Sequence, residues 1–181
     1  MKKEAIVIIV PIYEDTEASS RLFKEIFSVF DNQVFIVAVD DGSVNEPVDI
    51  DNIASSGLNG VVIKLKRNVG HQRAISIGLG YVAEYLSENK IVVIMDSDGE
   101  DTPRSIIELI KKLEPDNTDV VVAQRKSRVE SLHFKTFYVI YKWVFNILAG
   151  RKISFGNFMG LKPSAVKRLS SMQELGTHVA G

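Results

Sequence analysis

Asp96 and Asp98 stand one residue apart at the end of an apolar run, Ile91-Val92-Val93-Ile94-Met95, and are followed by Gly99, Glu100, Asp101 and Pro103. Five apolar residues in a row, four of them β-branched, predict a strand buried on both faces. Open α/β sheets bind their ligands at the carboxyl ends of the strands. A carboxylate pair at that place suits a divalent cation, or a ligand already carrying one. The same acids also suit a turn and the N-cap of a helix opened by Pro103. Capping needs one acid, whereas the segment supplies four.

The whole chain bounds what can position this pair. Its 181 residues suffice for one domain with a sizeable core. A hydrophobic content of 45%, a charged content of 25% and a net charge of −1 offer no basic face for nucleic acid. There is no cysteine, which excludes disulfides and thiolate metal sites and fits a reducing compartment. The apolar run at the N-terminus has six residues, too few for a signal-peptide core, and no clean transmembrane span is present. The end at Gly-Thr-His-Val-Ala-Gly, without a polar tail, is expected to be a cut within a longer protein.

Strands and helices alternate along the chain. Ala5 to Val10 reads as a buried strand stopped at Pro11, and Asp15 or Thr16 can cap a helix carrying Leu22, Phe23, Ile26, Phe27 and Phe30 on one face. Val34 to Val39 is a second strand, ending in Asp40-Asp41-Gly42-Ser43. Residues 45–60 are polar and loosely helical at best. Val61 to Leu65 is a third strand, and a helix from His71 to Leu86 turns Ile75, Leu79, Val82 and Leu86 inward. The opening stretch is the fourth strand, followed by a helix from Pro103 to Leu113 and a fifth strand from Val120 to Ala123. A short strand at Gly156 to Leu161 and a helix opened by Pro163 come last. This alternation predicts an α/β fold, a mostly parallel sheet with helices on both faces.

Residues 131–150 depart from that pattern. Projected as a helix, Ser131, Lys135, Lys142 and Asn146 fall in one narrow polar stripe, and apolar and aromatic residues around Trp143 cover the remainder. Such a helix belongs in a protein core, against a second subunit in a homo-oligomer, or in a membrane interface.

Polar clusters recur at strand ends: Tyr13-Glu14, Asp40-Asp41, Asn68 to Gly70 and Asp96 to Asp98, with Gln124, Arg125 and Arg128 after the fifth strand. In a parallel sheet these ends line one edge, so acids and arginines converge on one crevice. Neither G-x-G-x-x-G nor G-K-[ST] occurs, which makes a dinucleotide fold and a P-loop NTPase poor fits.

Four segments in order, Val10-Pro11-Ile12-Tyr13-Glu14, Val39-Asp40-Asp41-Gly42-Ser43, Arg67-Asn68-Val69-Gly70 and Asp96-Ser97-Asp98, resemble the successive motifs of family 2 glycosyltransferases. The resemblance covers nearly the whole chain and implies a GT-A fold, of Rossmann-like nucleotide-diphospho-sugar transferase type, and inverting sugar transfer from a UDP- or GDP-sugar. The segment after Arg128 is similar to the polyprenyl-phosphate branch, where such a helix lies on the membrane beside a lipid acceptor. The implied setting is cytoplasmic, peripheral to or anchored in the membrane, in the synthesis of cell-envelope glycans. Residues 1–181 would be one catalytic domain.

Carried over residue by residue, the resemblance places Pro11, Tyr13, Glu14, Asn68 and Gly70 at the donor, with Asp40 accepting from the base. Asp98 would hold Mg²⁺ or Mn²⁺ against the diphosphate, with Glu100 as a second ligand where relatives often carry Gln. The metal neutralises charge on the departing nucleoside diphosphate. Asp96 would face the sugar or ribose, and Arg125, with Arg128 less firmly, would pair with a phosphate. Asp41 reads as a turn residue, and His71, His133 and His178 as surface histidines. Asn157-Phe158-Met159 departs from the Asp-Phe-Arg of lipid-phosphate relatives, and an amide cannot act as a base. A phosphate acceptor, already an anion, requires none. A hydroxyl acceptor, as in transfer to a saccharide, would need a base from elsewhere. Two other readings are a sugar-binding module on the same fold and a haloacid-dehalogenase-type phosphatase using Asp96 as nucleophile. The second fits poorly, because its D-x-D-G loop follows the first strand of its domain and not the fourth.

Overall fold

The computed structural model describes residues 5–86, 89–124 and 155–171. In these, β1 (Ile6–Ile12), α1 (Thr16–Phe30), β2 (Val34–Asp40), α2 (Ile50–Ala54), β3 (Asn59–Lys64), α3 (His71–Tyr85), β4 (Ile91–Ile94), α4 (Pro103–Leu113), β5 (Val120–Gln124), β6 (Phe155–Leu161) and α5 (Pro163–Ser170) follow in order. The six strands form one sheet in the order β3-β2-β1-β4-β6-β5. β1 pairs in parallel with β2 and β4, and β2 with β3. β6 runs antiparallel to both of its neighbours. The expected mostly parallel α/β sheet is therefore the architecture observed.

Two apolar layers sandwich the sheet. Along β1 the side chains alternate, Ile8, Val10 and Ile12 entering one layer with α1, α2 and α4, and Val7 and Ile9 the other with α3 and α5. A parallel strand covered on both sides needs no polar face, which is why its sequence is a continuous apolar run. Each such fully buried Ile contributes about 1.5–3 kcal/mol.

Three local outcomes differ from the expectations. β1 does not stop at Pro11 but continues to Ile12. Ile9 faces β4, whose pairing with β1 ends there, so two residues on Pro11 turns its missing N–H to the side where the ladder has finished. Residues 50–54 form a true helical turn, closed by Asp49 and Asn52 as a capping box. β3 starts at Asn59, two residues earlier than its apolar residues indicate, because Gly60 can lie against the Ile36 carbonyl of β2.

Arg125, Arg128, His133, the segment 131–150 and His178 lie outside the described residues. Among the described residues no helix is long and apolar enough to cross a membrane.

Candidate active site

The carboxyl ends of β1 and β4 lie side by side, and the turns that leave them enclose a cleft of about 260 Å³. Pro11, Tyr13, Asp15, His71, Asp96, Ser97 and Asp98 line it. Four of the expected site residues therefore meet here: Pro11, Tyr13, Asp96 and Asp98. Tyr13 is half exposed, an apolar ring presented to an incoming group.

The other acids of the strand ends serve the loops. Asp40, at the end of β2, accepts from the Ser43 N–H at 2.8 Å through Oδ1 and from the Val48 N–H at 3.0 Å through Oδ2. Asp41 accepts from Val69 N–H at 2.7 Å and from Gly70 N–H at 3.0 Å. Asn68 adds an Asx turn, its Oδ1 accepting from the same Gly70 N–H at 3.0 Å. Both aspartates are buried, so these bonds stand in for the water that their carboxylates have lost. Gly42 follows them at φ 75°, and a Cβ there would stand 2.4 Å from the Arg67 carbonyl carbon. Glu14 turns to the loop as well: its carboxylate accepts from the N–H groups of Val44 and Glu46 at 2.7 Å each and of Asn45 at 3.0 Å. These backbone donors, Val44 foremost, hold its pKa below the usual carboxylate range.

Around Asp98 the chain turns sharply. Gly99 takes φ 77°, and the Glu100 N–H donates to Asp98 Oδ1 at 2.9 Å. Asp98 and Glu100 are both exposed. Asp15, expected only as a cap, caps α1 by accepting from Ala18 N–H and also faces the cleft, its Oδ2 3.5 Å from Ser97 Oγ.

Three residues that the sequence had placed on the surface or left without a partner close the far side. His71 Nε2 lies 3.2 Å from Asp96 Oδ1 and 2.9 Å from Asn157 Nδ2. Asn157 also directs Nδ2 to Asp96 Oδ2 at 3.5 Å and accepts from Gln72 Nε2 at 3.0 Å. The bond to Asp96 is the largest influence on His71 and raises its pKa above the usual histidine value. The sequence carried two signals for this group, the short strand read at Gly156 to Leu161 and the departure of Asn157 from the relatives' Asp, but nothing that says which strand β6 joins.

The cleft is acidic. Asp15, Asp96 and Asp98 face it, and His71 is the one side chain among its described lining that can be cationic. Hard carboxylate oxygens of this kind suit Mg²⁺ or Mn²⁺. Among the described residues no three His, Cys, Asp or Glu side chains form a ready-made cage.

A central parallel sheet with an antiparallel sixth strand and an acid pair at its fourth strand end is the GT-A arrangement of nucleotide-sugar transferases. The chain belongs to glycosyl transferase family 2, whose family model matches residues 7–168. It is 24% identical over 149 residues to a dodecaprenyl-phosphate galacturonate synthase of Rhizobium johnstonii, covering 80% of this chain and 42% of that protein. It is 26% identical over 141 residues to an undecaprenyl-phosphate 4-deoxy-4-formamido-L-arabinose transferase of Klebsiella pneumoniae, covering 75% of this chain and 41% of that one. The chain thus spans about two fifths of the length of these relatives. Among solved structures it is similar to glucosyl-3-phosphoglycerate synthase from Mycobacterium tuberculosis in complex with Mn²⁺, UDP-glucose and phosphoglyceric acid. That match has a TM-score of 0.59 at 14% identity and covers 96% of this chain and 67% of the other. Family membership removes the phosphatase reading of Asp96.

Proposed function

We propose that this chain is the catalytic domain of an inverting, divalent-metal-dependent glycosyltransferase that moves a sugar from a nucleoside-diphosphate donor to a polyprenyl phosphate. The observation that carries this reading is the cleft itself: three carboxylates at adjacent strand ends, with Asp98 exposed at its mouth. A diphosphate cannot approach such a surface without a cation between them, because like charges a few ångströms apart cost several kcal/mol at intermediate dielectric. Mg²⁺ or Mn²⁺, when bound, would screen the diphosphate and stabilise it as a leaving group. Asp98 would be its main protein ligand, with Glu100 as the candidate second.

The chain's own residues do the rest. Tyr13 and Pro11 border the nucleotide, with Asp40 and the loop it orders at the base. Asn68 and Gly70 belong to the second loop beside it. Asp96, held by His71 and Asn157, faces the transferred sugar. An acceptor oxygen attacks the anomeric carbon opposite the diphosphate. The new carbon–oxygen bond forms as the bond to the diphosphate breaks, which inverts the centre. Arg125 remains on its sequence position the candidate partner of a phosphate, as does the aromatic segment 131–150 for the lipid. Both relatives reported above are named for transfer to a polyprenyl phosphate, which supports that acceptor class.

The test is thermal shift with UDP and GDP, each with and without Mn²⁺, followed by sugar transfer to undecaprenyl phosphate. A specific nucleotide raises stability in proportion to ln(1 + [L]/Kd). Asp98→Ala should keep the fold, lose the Mn²⁺-dependent part of the shift and abolish transfer. Undiminished turnover of that variant in EDTA would overturn the proposal.

A further inference from the structure

β4 and β6 are antiparallel with Ile94 opposite Met159 and Val93 opposite Gly160. Extending that register by two residues puts Asp96 opposite Asn157. The contact among Asp96, Asn157 and His71 is therefore a product of strand pairing, and it fixes where hydrogens sit. An ionised carboxylate only accepts, so Asn157 must turn its NH₂ to Asp96 Oδ2, and the same NH₂ then meets His71 Nε2 at 2.9 Å. Gln72, donating to Asn157 Oδ1, agrees with that orientation. With a donor facing Nε2, the neutral ring carries its proton on Nδ1. In the imidazolium form, Nε2–H can turn to Asp96 Oδ1, and Nδ1 carries a proton again.

In both forms Nδ1–H is a donor, and neither form keeps a lone pair there to accept a proton. Nδ1 has no partner among the described residues. The side chain is 42% exposed and lines the cleft. Asn157, which meets its Nε2, stands on β6, across β4 from Pro11 and Tyr13, which approach Asp96 from β1. A nucleotide lying over the β1 side leaves the Asn157 side, which His71 reaches, for the second substrate.

We infer that His71, locked by Asn157, is the hydrogen-bond donor that seats an already ionised acceptor oxygen, that of a phosphate monoester, and is not a base that ionises a hydroxyl. This rests on the glycosyl-transfer reading and names the residues that would make its acceptor a phosphate. His71 is a positioning residue here: it orients the attacking group and takes no proton from it.

The experiment measures transfer by the 181-residue chain at saturating donor, with undecaprenyl phosphate, a soluble short-chain isoprenyl phosphate and the matching isoprenol as acceptors. His71→Ala should raise KM for both phosphates by about ten- to hundredfold, the size of one lost hydrogen bond to a charged group, with nucleotide affinity and Tm unchanged. His71→Asn, whose amide nitrogen falls near the position of Nδ1, should recover much of the loss, and His71→Gln, which mimics Nε2, should not. Transfer to phosphate acceptors with KM unchanged in His71→Ala would overturn the inference and leave the glycosyltransferase reading intact. A loss confined to the long lipid would also overturn it, since the ring would then be reading the chain and not the phosphate. Transfer by the wild type to the isoprenol alone, or to none of the three, would remove the phosphate acceptor and this inference with it. Nucleotide binding then decides whether the donor half of the reading survives.

Discussion

Asp41 grips Gly70 across 29 positions of sequence, Oδ2 accepting its N–H at 3.0 Å while Oδ1 takes the N–H of Val69 at 2.7 Å. Gly70 is the N-cap of α3, so this carboxylate, with Asn68 Oδ1 on the same N–H, helps set where the helix begins and where His71, its first residue, stands. Asp41→Ala leaves two backbone donors without that acceptor and should cost about 1–3 kcal/mol. Asp41→Asn, which keeps one acceptor oxygen, should cost less. Urea unfolding of the three proteins checks the order.

Gly42 and Gly99 both take positive φ, 75° and 77°, but differ in what surrounds them. A Cβ at Gly42 meets the Arg67 backbone at 2.4 Å, whereas at Gly99 the nearest atom is Arg21 Nη2 at 3.9 Å. Gly99→Ala should therefore cost only the left-handed conformation, about 1–2 kcal/mol. Gly42→Ala should cost clearly more, because the β2 turn and the Arg67–Gly70 loop must move apart. Equal losses in denaturant melts would show that the close approach carries no weight.

The Glu14 clamp should be visible as a pH effect. Its folded pKa is depressed below 4.5 by the Val44, Glu46 and Asn45 N–H groups, so its contribution to stability is present above 4.5 and lost as pH falls through the lower folded value. The Tm difference between wild type and Glu14→Gln should accordingly be constant from neutral pH to about 5 and shrink below 4.5. Because the carboxylate lies at the surface, solvent screens it and the effect should be small. A difference that grows on acidification would show that the carboxylate does not hold the loop.

The segment 131–150 carries a prediction from its sequence. Each lysine near an anionic surface is worth about 1 kcal/mol, and aromatic insertion adds to it. The chain should co-float with anionic liposomes, and Trp143→Glu or the pair Lys135→Glu and Lys142→Glu should reduce that. A wild type that stays in solution, with all three proteins transferring sugar equally to a polyprenyl phosphate, would make the segment ordinary core.

By itself the sequence determined the sheet's strands and the acids that end them. Buried parallel strands must be apolar on both faces, so Ile6–Ile12, Val34–Asp40 and Ile91–Ile94 announce themselves as runs, and the chain must turn where the runs stop. The order of motifs at those turns was enough to reach the family. The sequence separated the acids only in part. It read Asp41 as a turn residue and set Asp96 and Asp98 at the site, but Asp40 and Glu14 look like those two on paper, and they are taken up by backbone N–H groups of loops that pack beside them, a matter of tertiary approach. His71, Gln72 and Asn157 were invisible as a group for a similar reason. Asn157 lies 61 positions from Asp96 and 86 from His71, and the antiparallel insertion of β6 between β4 and β5 is what brings them together. Periodicity reports which residues a strand buries, whereas the choice of its neighbours depends on how the whole sheet closes its backbone hydrogen bonds and covers its two apolar faces.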